Sequence, residues 1–147
     1  MAHFAKINEN NEVLKVLTID NKDVLNFNQV EEELIGQQYL ETHNNWPAHL
    51  WKKCSYNTIN GVHKLGGTAF RGTYPSKGMV WDETNQIFRT KQPYASWTFN
   101  VSEHKWMPPI NQPETTTNFN GKEVPDMYSW DEANQNWIRN DPYYPSA

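Results

Sequence analysis

The sequence predicts a mainly β protein built from successive antiparallel hairpins, with one short helix near residues 29–42. Three observations carry that expectation. A motif occurs twice almost verbatim: Trp81-Asp-Glu-Thr-Asn-Gln86 and Trp130-Asp-Glu-Ala-Asn-Gln135, each followed by a second aromatic seven residues after the first, Phe88 and Trp137. A weaker copy with the same spacing runs from Phe99 to Trp106. Aromatic residues make up 14% of the chain, with seven Trp, although apolar residues total only 37%. A few large rings must therefore do most of the burying, at roughly 150–250 Å² each. Finally, eighteen Asn and seven Gln lie mostly between apolar clusters, as in a chain of many polar turns.

The elements follow in chain order. Phe4–Ile7 and Val13–Ile19 flank a polar turn at residues 8–12 and read as an N-terminal hairpin. Ile7 and Leu14 repeat the spacing of seven without aromatics, a candidate degenerate fourth copy. Asn28 and Glu31 fit a capping box, and Val30, Leu34, Ile35, Tyr39 and Leu40 recur at helical spacing. Gly36 weakens that helix by about 1 kcal/mol relative to alanine. Asn44-Asn45-Trp46-Pro47 ends it. Trp51–Ile59 is an expected strand, Asn60-Gly61 a type I′ turn and Val62–Leu65 the return. A connector with Phe70, Arg71 and Tyr74 leads to the aromatic hairpins. In each of these, Asp opens the turn with an Asx-type bond and Asn takes the left-handed position. The pairs Trp81 and Phe88, Phe99 and Trp106, and Trp130 and Trp137 are the expected structural aromatic pairs. Residues 110–126 read as a polar exposed loop. The chain divides into a main β domain with the helix, 1–109, and a region 110–147 of linker, C-terminal hairpin and extended tail.

Charge and motifs narrow the function classes. A net charge of −4 and a pI near 5.7 give no general attraction to nucleic acid, and none is expected as a partner. The start lacks the apolar run of a signal peptide, and no stretch approaches the ~20 apolar residues of a membrane span. We expect synthesis in a cytoplasm and no membrane partner. The single cysteine, Cys54, excludes an intrachain disulfide and a CxxC metal site. The histidines, His3, His43, His49, His63 and His104, show no HxH or HExxH spacing, and no metal or cofactor is expected. Cys54 with His49 or His63 could be nucleophile and base, but no oxyanion-hole context accompanies them, and a small buried side chain is the plainer reading. The adjacent acids Asp82-Glu83 and Asp131-Glu132 suit hairpin tips rather than a glycosidase cleft, which needs two carboxyls across a gap. Gly66-Gly67 lacks the Lys-Ser/Thr of a phosphate loop. No enzymatic activity is expected. Trp81, Trp97, Trp106, Trp130 and Trp137 could instead be sugar-stacking platforms. With so few aliphatic residues after position 66, burial of most of them is favoured.

Several stretches carry a resemblance when taken together: Met1-Ala-His-Phe-Ala-Lys-Ile7, Trp51-Lys-Lys-Cys-Ser-Tyr-Asn57, Gly66-Gly-Thr-Ala-Phe-Arg71, Lys91-Gln-Pro-Tyr-Ala-Ser-Trp97 and Tyr128-Ser-Trp-Asp-Glu132. Over nearly the whole chain they resemble small aromatic-rich proteins of unassigned function encoded by tailed phages of marine bacteria, cyanophages and pelagiphages among them. The chain departs from that group at Tyr74–Gly78 and at Thr117–Pro125, where a segment looks inserted. The resemblance implies a viral origin and a place in the virion, and brings no functional residues with it. The expectation is a non-enzymatic structural protein on the particle exterior, a capsid decoration or cement protein touching other virion proteins. A tail, baseplate or fibre component and a glycan-binding module for host attachment are the alternatives, and an intracellular modulator of a host protein is a third. Hairpins that need a partner to cover an aromatic face imply a homo-oligomer, with a trimer ahead of a dimer by analogy with decoration proteins. Trp130→Ala should lower thermal stability or abolish incorporation into the particle, whereas Glu132→Ala at the turn should be nearly silent.

Overall fold

The computed structural model describes residues 1–140. The expected extended tail, Asp141 to Pro145, lies outside them. The chain is mainly β, with strands paired in antiparallel hairpins and a single α-helix among the described residues. Its described residues form two compact units: Met1–Lys91 with Val101–Lys105, and Gln92–Asn100 with residues 106–140.

The first unit is organised by a three-stranded antiparallel sheet of order β2-β1-β3, with β1 Ala2–Ile7, β2 Val13–Ile19 and β3 Trp51–Cys54. In the central strand β1, Phe4 and Ala5 are neighbours in sequence and both fully buried. Alternate residues of a strand point to opposite faces, so this sheet is covered on both. Ala2 and Phe4 pack with Ile19, Val24, Leu40 and Trp51, beneath the helix α1, Glu33–Asn44. Ala5 and Ile7 pack with Val13, Leu50, Cys54, Trp81 and Phe88, beneath the hairpin that carries the last two. Trp46 touches both clusters and donates its indole N–H to the Ile7 carbonyl at 2.9 Å. The first hairpin has Ile7 opposite Val13 with a bulge, so it does not reproduce the register of the aromatic motif.

The helix starts at Glu33 rather than near residue 29. The reason is an Asx turn that competes with the expected capping box. The Asn26 side chain accepts the N–H groups of Asn28 and Val30 at 2.9 and 3.0 Å, the Asn26 N–H reaches the Val30 carbonyl, and Gln29 takes φ 63°. Asn28 therefore caps nothing, and Glu31 pairs with Lys53 at 2.5 Å instead of reaching back. The helix ends at a left-handed Asn45, φ 51°.

Gly36 has a positive reason to be in this helix. A Cβ built there would lie 2.4 Å from Phe4 Cζ and 2.8 Å from Val24 Cγ1. The helix reaches the sheet only because this side chain is missing. Alanine would gain about 1 kcal/mol of helix propensity, but overpacking a filled core costs roughly 1–3 kcal/mol. Gly36→Ala is therefore expected to lower the melting temperature, and a raised one in differential scanning calorimetry would refute the close approach.

The strand expected over Trp51–Ile59 breaks after Cys54. The first part pairs with β1, and the second forms a small hairpin of β4, Thr58–Ile59, with β5, Val62–His63. Ser55 makes the break, accepting the Asn57 N–H on its hydroxyl and the Thr58 N–H on its carbonyl, both at 3.2 Å. Asn60 and Gly61 have φ 48° and 82°, as a type I′ turn requires. The return strand stops at His63 because the His63 Nδ1 accepts the Leu65 and Gly67 N–H groups.

The remaining strands are also paired in hairpins. β6 Val80–Asp82 pairs with β7 Ile87–Arg89 in the first unit. β8 Thr98–Asn100 pairs with β9 Lys105–Met107. In the second unit β10 Thr116–Phe119 pairs with β11 Lys122–Pro125, and β12 Tyr128–Asp131 with β13 Asn136–Arg139. The segment 110–126 thus contains a hairpin where a loop was expected. Its turn, Asn120-Gly121 with φ 51° and 82°, is the same signal as at 60–61.

Candidate functional site

The repeated motif places its aromatics directly opposite one another. Trp81 faces Phe88 and Trp130 faces Trp137 across their hairpins, with ring centroids 4.8 and 5.1 Å apart. Phe99 and Trp106 meet at 5.2 Å in a T-shaped pair. All three copies turn back through a left-handed residue five positions after the first aromatic: Gln86, His104 and Gln135, with φ 54°, 52° and 49°. The expected left-handed Asn is therefore corrected to Gln or His. Asn85 and Asn134 instead bind the opening aspartate twice, through backbone N–H and side-chain amide, to Asp82 and Asp131.

The glutamate of the motif has its own partner. Glu83 accepts the Trp81 indole N–H at 2.5 Å, and Glu132 accepts that of Trp130 at 2.9 Å. Glu132 also accepts the Ser96 N–H at 3.0 Å and the Ser96 hydroxyl at 2.6 Å. The expectation that Glu132→Ala is nearly silent is corrected: this carboxylate ties hairpin β12–β13 to the segment before β8 inside the second unit. The Asp-Glu pairs are hydrogen-bonding devices of the turns, with each acid committed to internal donors.

Burial of the rings differs between the units. Trp81 is 1% exposed and Phe88 0%. Trp97, Trp106, Trp130 and Trp137 are half-buried, so most of the five Trp expected in the core sit at its margin. The second unit has few aliphatic residues to cover them, and the rings cover one another instead. Trp97 is inclined 81° to Trp130 and 60° to Trp137, and Trp130 is inclined 67° to Trp137. Such edge-to-face contacts suit ring quadrupoles. They also leave no two of these three rings coplanar, as a two-ring platform for a sugar would require. The buried Trp97 indole N–H has no hydrogen-bond acceptor among the described residues, and its ring is the one packed against Trp130 and Trp137.

Arg71, which carried no specific signal in the sequence, joins four segments of the first unit. Its guanidinium binds both Glu33 carboxylate oxygens at 2.6 Å and the Lys53 carbonyl at 2.9 Å. It lies 5.0 Å from the ring centroids of Phe70 and Trp81. Its backbone carbonyl accepts the Phe88 N–H at 2.9 Å, and its own φ is 51°. In the second unit Asp126 has a similar role, accepting the Thr115 and Thr117 hydroxyls and pairing with Arg139 at 3.1 Å.

A cleft of about 420 Å³ lies where β1 meets β3, lined in part by His3, Glu31, Lys53, Cys54, Tyr56 and Phe70. His3 stacks on Tyr56 at 5.9 Å and meets the edge of Tyr74 at 5.5 Å. It is His3, not His49 or His63, that stands opposite Cys54 in the strand register. Cys54 is 3% exposed, and burial pushes its thiol up to about 12. It stays protonated and a poor nucleophile at neutral pH. Among the described residues no group of three or more His, Cys, Asp or Glu gathers to hold a metal, and no helix is long and apolar enough to cross a membrane.

The most exposed large apolar side chains are also in the first unit. Phe27 is 99% exposed at the tip of the Asn26 turn, followed by Val30 and Leu34. Ile59, Val62 and Leu65 are exposed on and just after the β4–β5 hairpin.

No protein family, curated protein or solved structure matches this chain.

The bound carboxylates set a pH response. Bonds from Thr115 and Thr117 hold Asp126 below its usual range, those from Asn134 do so for Asp131, and those from Ser96 and Trp130 for Glu132. The Trp81 indole lowers Glu83, and at Asp82 burial opposes but does not cancel the bonds from Asn85 and Arg89. The folded chain therefore binds fewer protons than the unfolded one near the ordinary carboxylate range of about 4. Burial lowers His3 and His104 below about 6.5, with the same sign. Stability is expected to decline gently as pH falls below about 6.5 and steeply below about 4. Melting temperatures across pH 3–8 check this, and a midpoint that rises on acidification would contradict it.

Proposed function

We propose that this protein is a non-enzymatic structural component on the outside of a phage particle, a decoration or cement protein of the capsid. The observation that carries the reading is the way polar and apolar groups are used. The distinctive polar groups, Arg71, Glu33, Glu132 and Asp126, are bound internally, and the one thiol is buried and protonated. Large apolar side chains, Phe27 above all, stand exposed on short hydrogen-bonded turns. Chemistry turned inward with apolar groups held outward suits attachment to a larger surface. The resemblance to small phage proteins supplies the kind of surface. A tail, baseplate or fibre position fits the same chemistry. A glycan-binding module is less well supported, because the second unit's Trp rings are steeply inclined to one another.

The test is mass spectrometry of purified particles, with stoichiometry taken against the major capsid subunit. Peptides of this chain in near-lattice numbers are the expected result. A few copies per particle would move the protein to the tail or fibre. Absence from particles, with abundance in the lysate of infected cells, would overturn the proposal.

A further inference from the structure

We propose that the Phe27 turn inserts into the cleft beside Tyr56 and Phe70 of a second copy of this chain, and that the exchange is reciprocal, giving a two-fold dimer. Phe27 is almost wholly exposed, at 99%, yet its turn is well fixed. Asn26 binds the N–H groups of Asn28 and Val30, and its side-chain amide reaches Glu32 at 2.7 Å. A ring held this way loses little freedom on docking.

Charge favours the match. The segment around the turn carries Asp20, Asp23 and Glu32, none in an ion pair among the described residues, against Lys22. The cleft offers aromatic walls, and although its Lys53 is already paired with Glu31, Lys64, in no ion pair among the described residues, lies 3.6 Å from the Tyr56 centroid. An apolar knob on an acidic ground thus meets aromatic walls that carry one uncommitted cation.

Position favours two-fold symmetry. Glu31, four residues after Phe27, itself lines the cleft. Knob and hole are thus only four residues apart along the chain, and a reciprocal exchange between two copies fills both holes at once. Two inserted rings at roughly 150–250 Å² each, with the walls they cover, bury on the order of 600–1,000 Å². That is the small, transient class of interface, with dissociation on the order of micromolar.

Sedimentation equilibrium of the full chain from 1 to 200 µM tests the dimer in dilute solution, apart from any particle. A monomer–dimer equilibrium is expected. Phe27→Ser, and separately Tyr56→Ala, should each raise the dissociation constant at least about thirtyfold. Phe27 is 99% exposed, so Phe27→Ser should leave the melting temperature unchanged; Tyr56→Ala also gives up its stack on His3 and is compared at a temperature where circular dichroism shows it folded. An equal mixture of the two variants should associate more tightly than either alone, because one intact Phe27–cleft contact is restored. A wild-type monomer at 200 µM, a trimer, or a dimer indifferent to Phe27→Ser would each overturn the proposal.

Discussion

Trp81→Ala is expected to cost the first unit roughly 3–5 kcal/mol, a large part of the 5–15 kcal/mol that holds a typical domain together. The ring is 1% exposed and packs against Phe88 over the Ala5 face of the sheet. Its indole N–H is bound by Glu83, and Lys52 and Arg71 lie over its ring. Truncation would open a cavity beside Ile7, Val13 and Cys54, leave the Glu83 carboxylate without its indole and remove the surface on which two cations rest. Urea denaturation should show a midpoint shift of that size. Trp130→Ala should cost clearly less, because that ring is half-buried. Equal losses at the two positions would mean that the motif, and not its burial, sets the energy.

Arg71→Ala should also be clearly damaging. Its side chain is 17% exposed and that of Glu33 27%, so the pair is partly shielded from water. Removing Arg71 should cost about 2–3 kcal/mol, between an exposed pair and a fully buried one, because Glu33 keeps the Lys53 N–H at 2.8 Å. Arg71→Lys keeps the charge but cannot bind both Glu33 oxygens and the Lys53 carbonyl, so it should lose about 1–3 kcal/mol. The backbone supplies a sharper contrast. Arg71 has φ 51°, a conformation that costs an L-residue about 1–2 kcal/mol and glycine little. Arg71→Gly should therefore be less destabilising than Arg71→Ala, although both delete the same contacts. A reversed order in the same denaturation assay would contradict the strained backbone.

How far the fold could be read from the sequence depended on the range of the interaction. Trp81 with Phe88 and Trp130 with Trp137 were legible because a hairpin writes its register locally, in the spacing of its rings around one turn. The helix was legible in kind and displaced in position, because Asn26 offers a turn to the same backbone groups that a cap at Asn28 would need. The hairpin at 116–125 has the same Asn-Gly signal as the one at 60–61, but it lacks an apolar alternation to draw the eye. Long-range pairings left no such mark. Nothing near Trp51 says that its strand joins residues 3–6, and nothing near Arg71 names Glu33, thirty-eight residues away. Gly36 read as a flaw because its reason, Phe4, lies across the core. Of the candidate contact surface, Phe27 carries no mark in the sequence, since exposure is decided by which turn forms beneath it.

The central claim is that the repeated Trp-Asp-Glu-x-Asn-Gln motif is an internal structural device, with its glutamate holding its own tryptophan. Indole N–H exchange followed by two-dimensional NMR tests it most directly. The Trp81 and Trp130 indole protons should both be protected. Glu83→Ala, which removes the acceptor, should shift and expose the Trp81 proton alone, and Glu132→Ala the Trp130 proton alone, with Ser96 released in the second case. A Trp130 indole that exchanges as fast as free tryptophan in the wild-type chain, or one indifferent to Glu132→Ala, would contradict the claim and return that ring to the role of a surface for ligands.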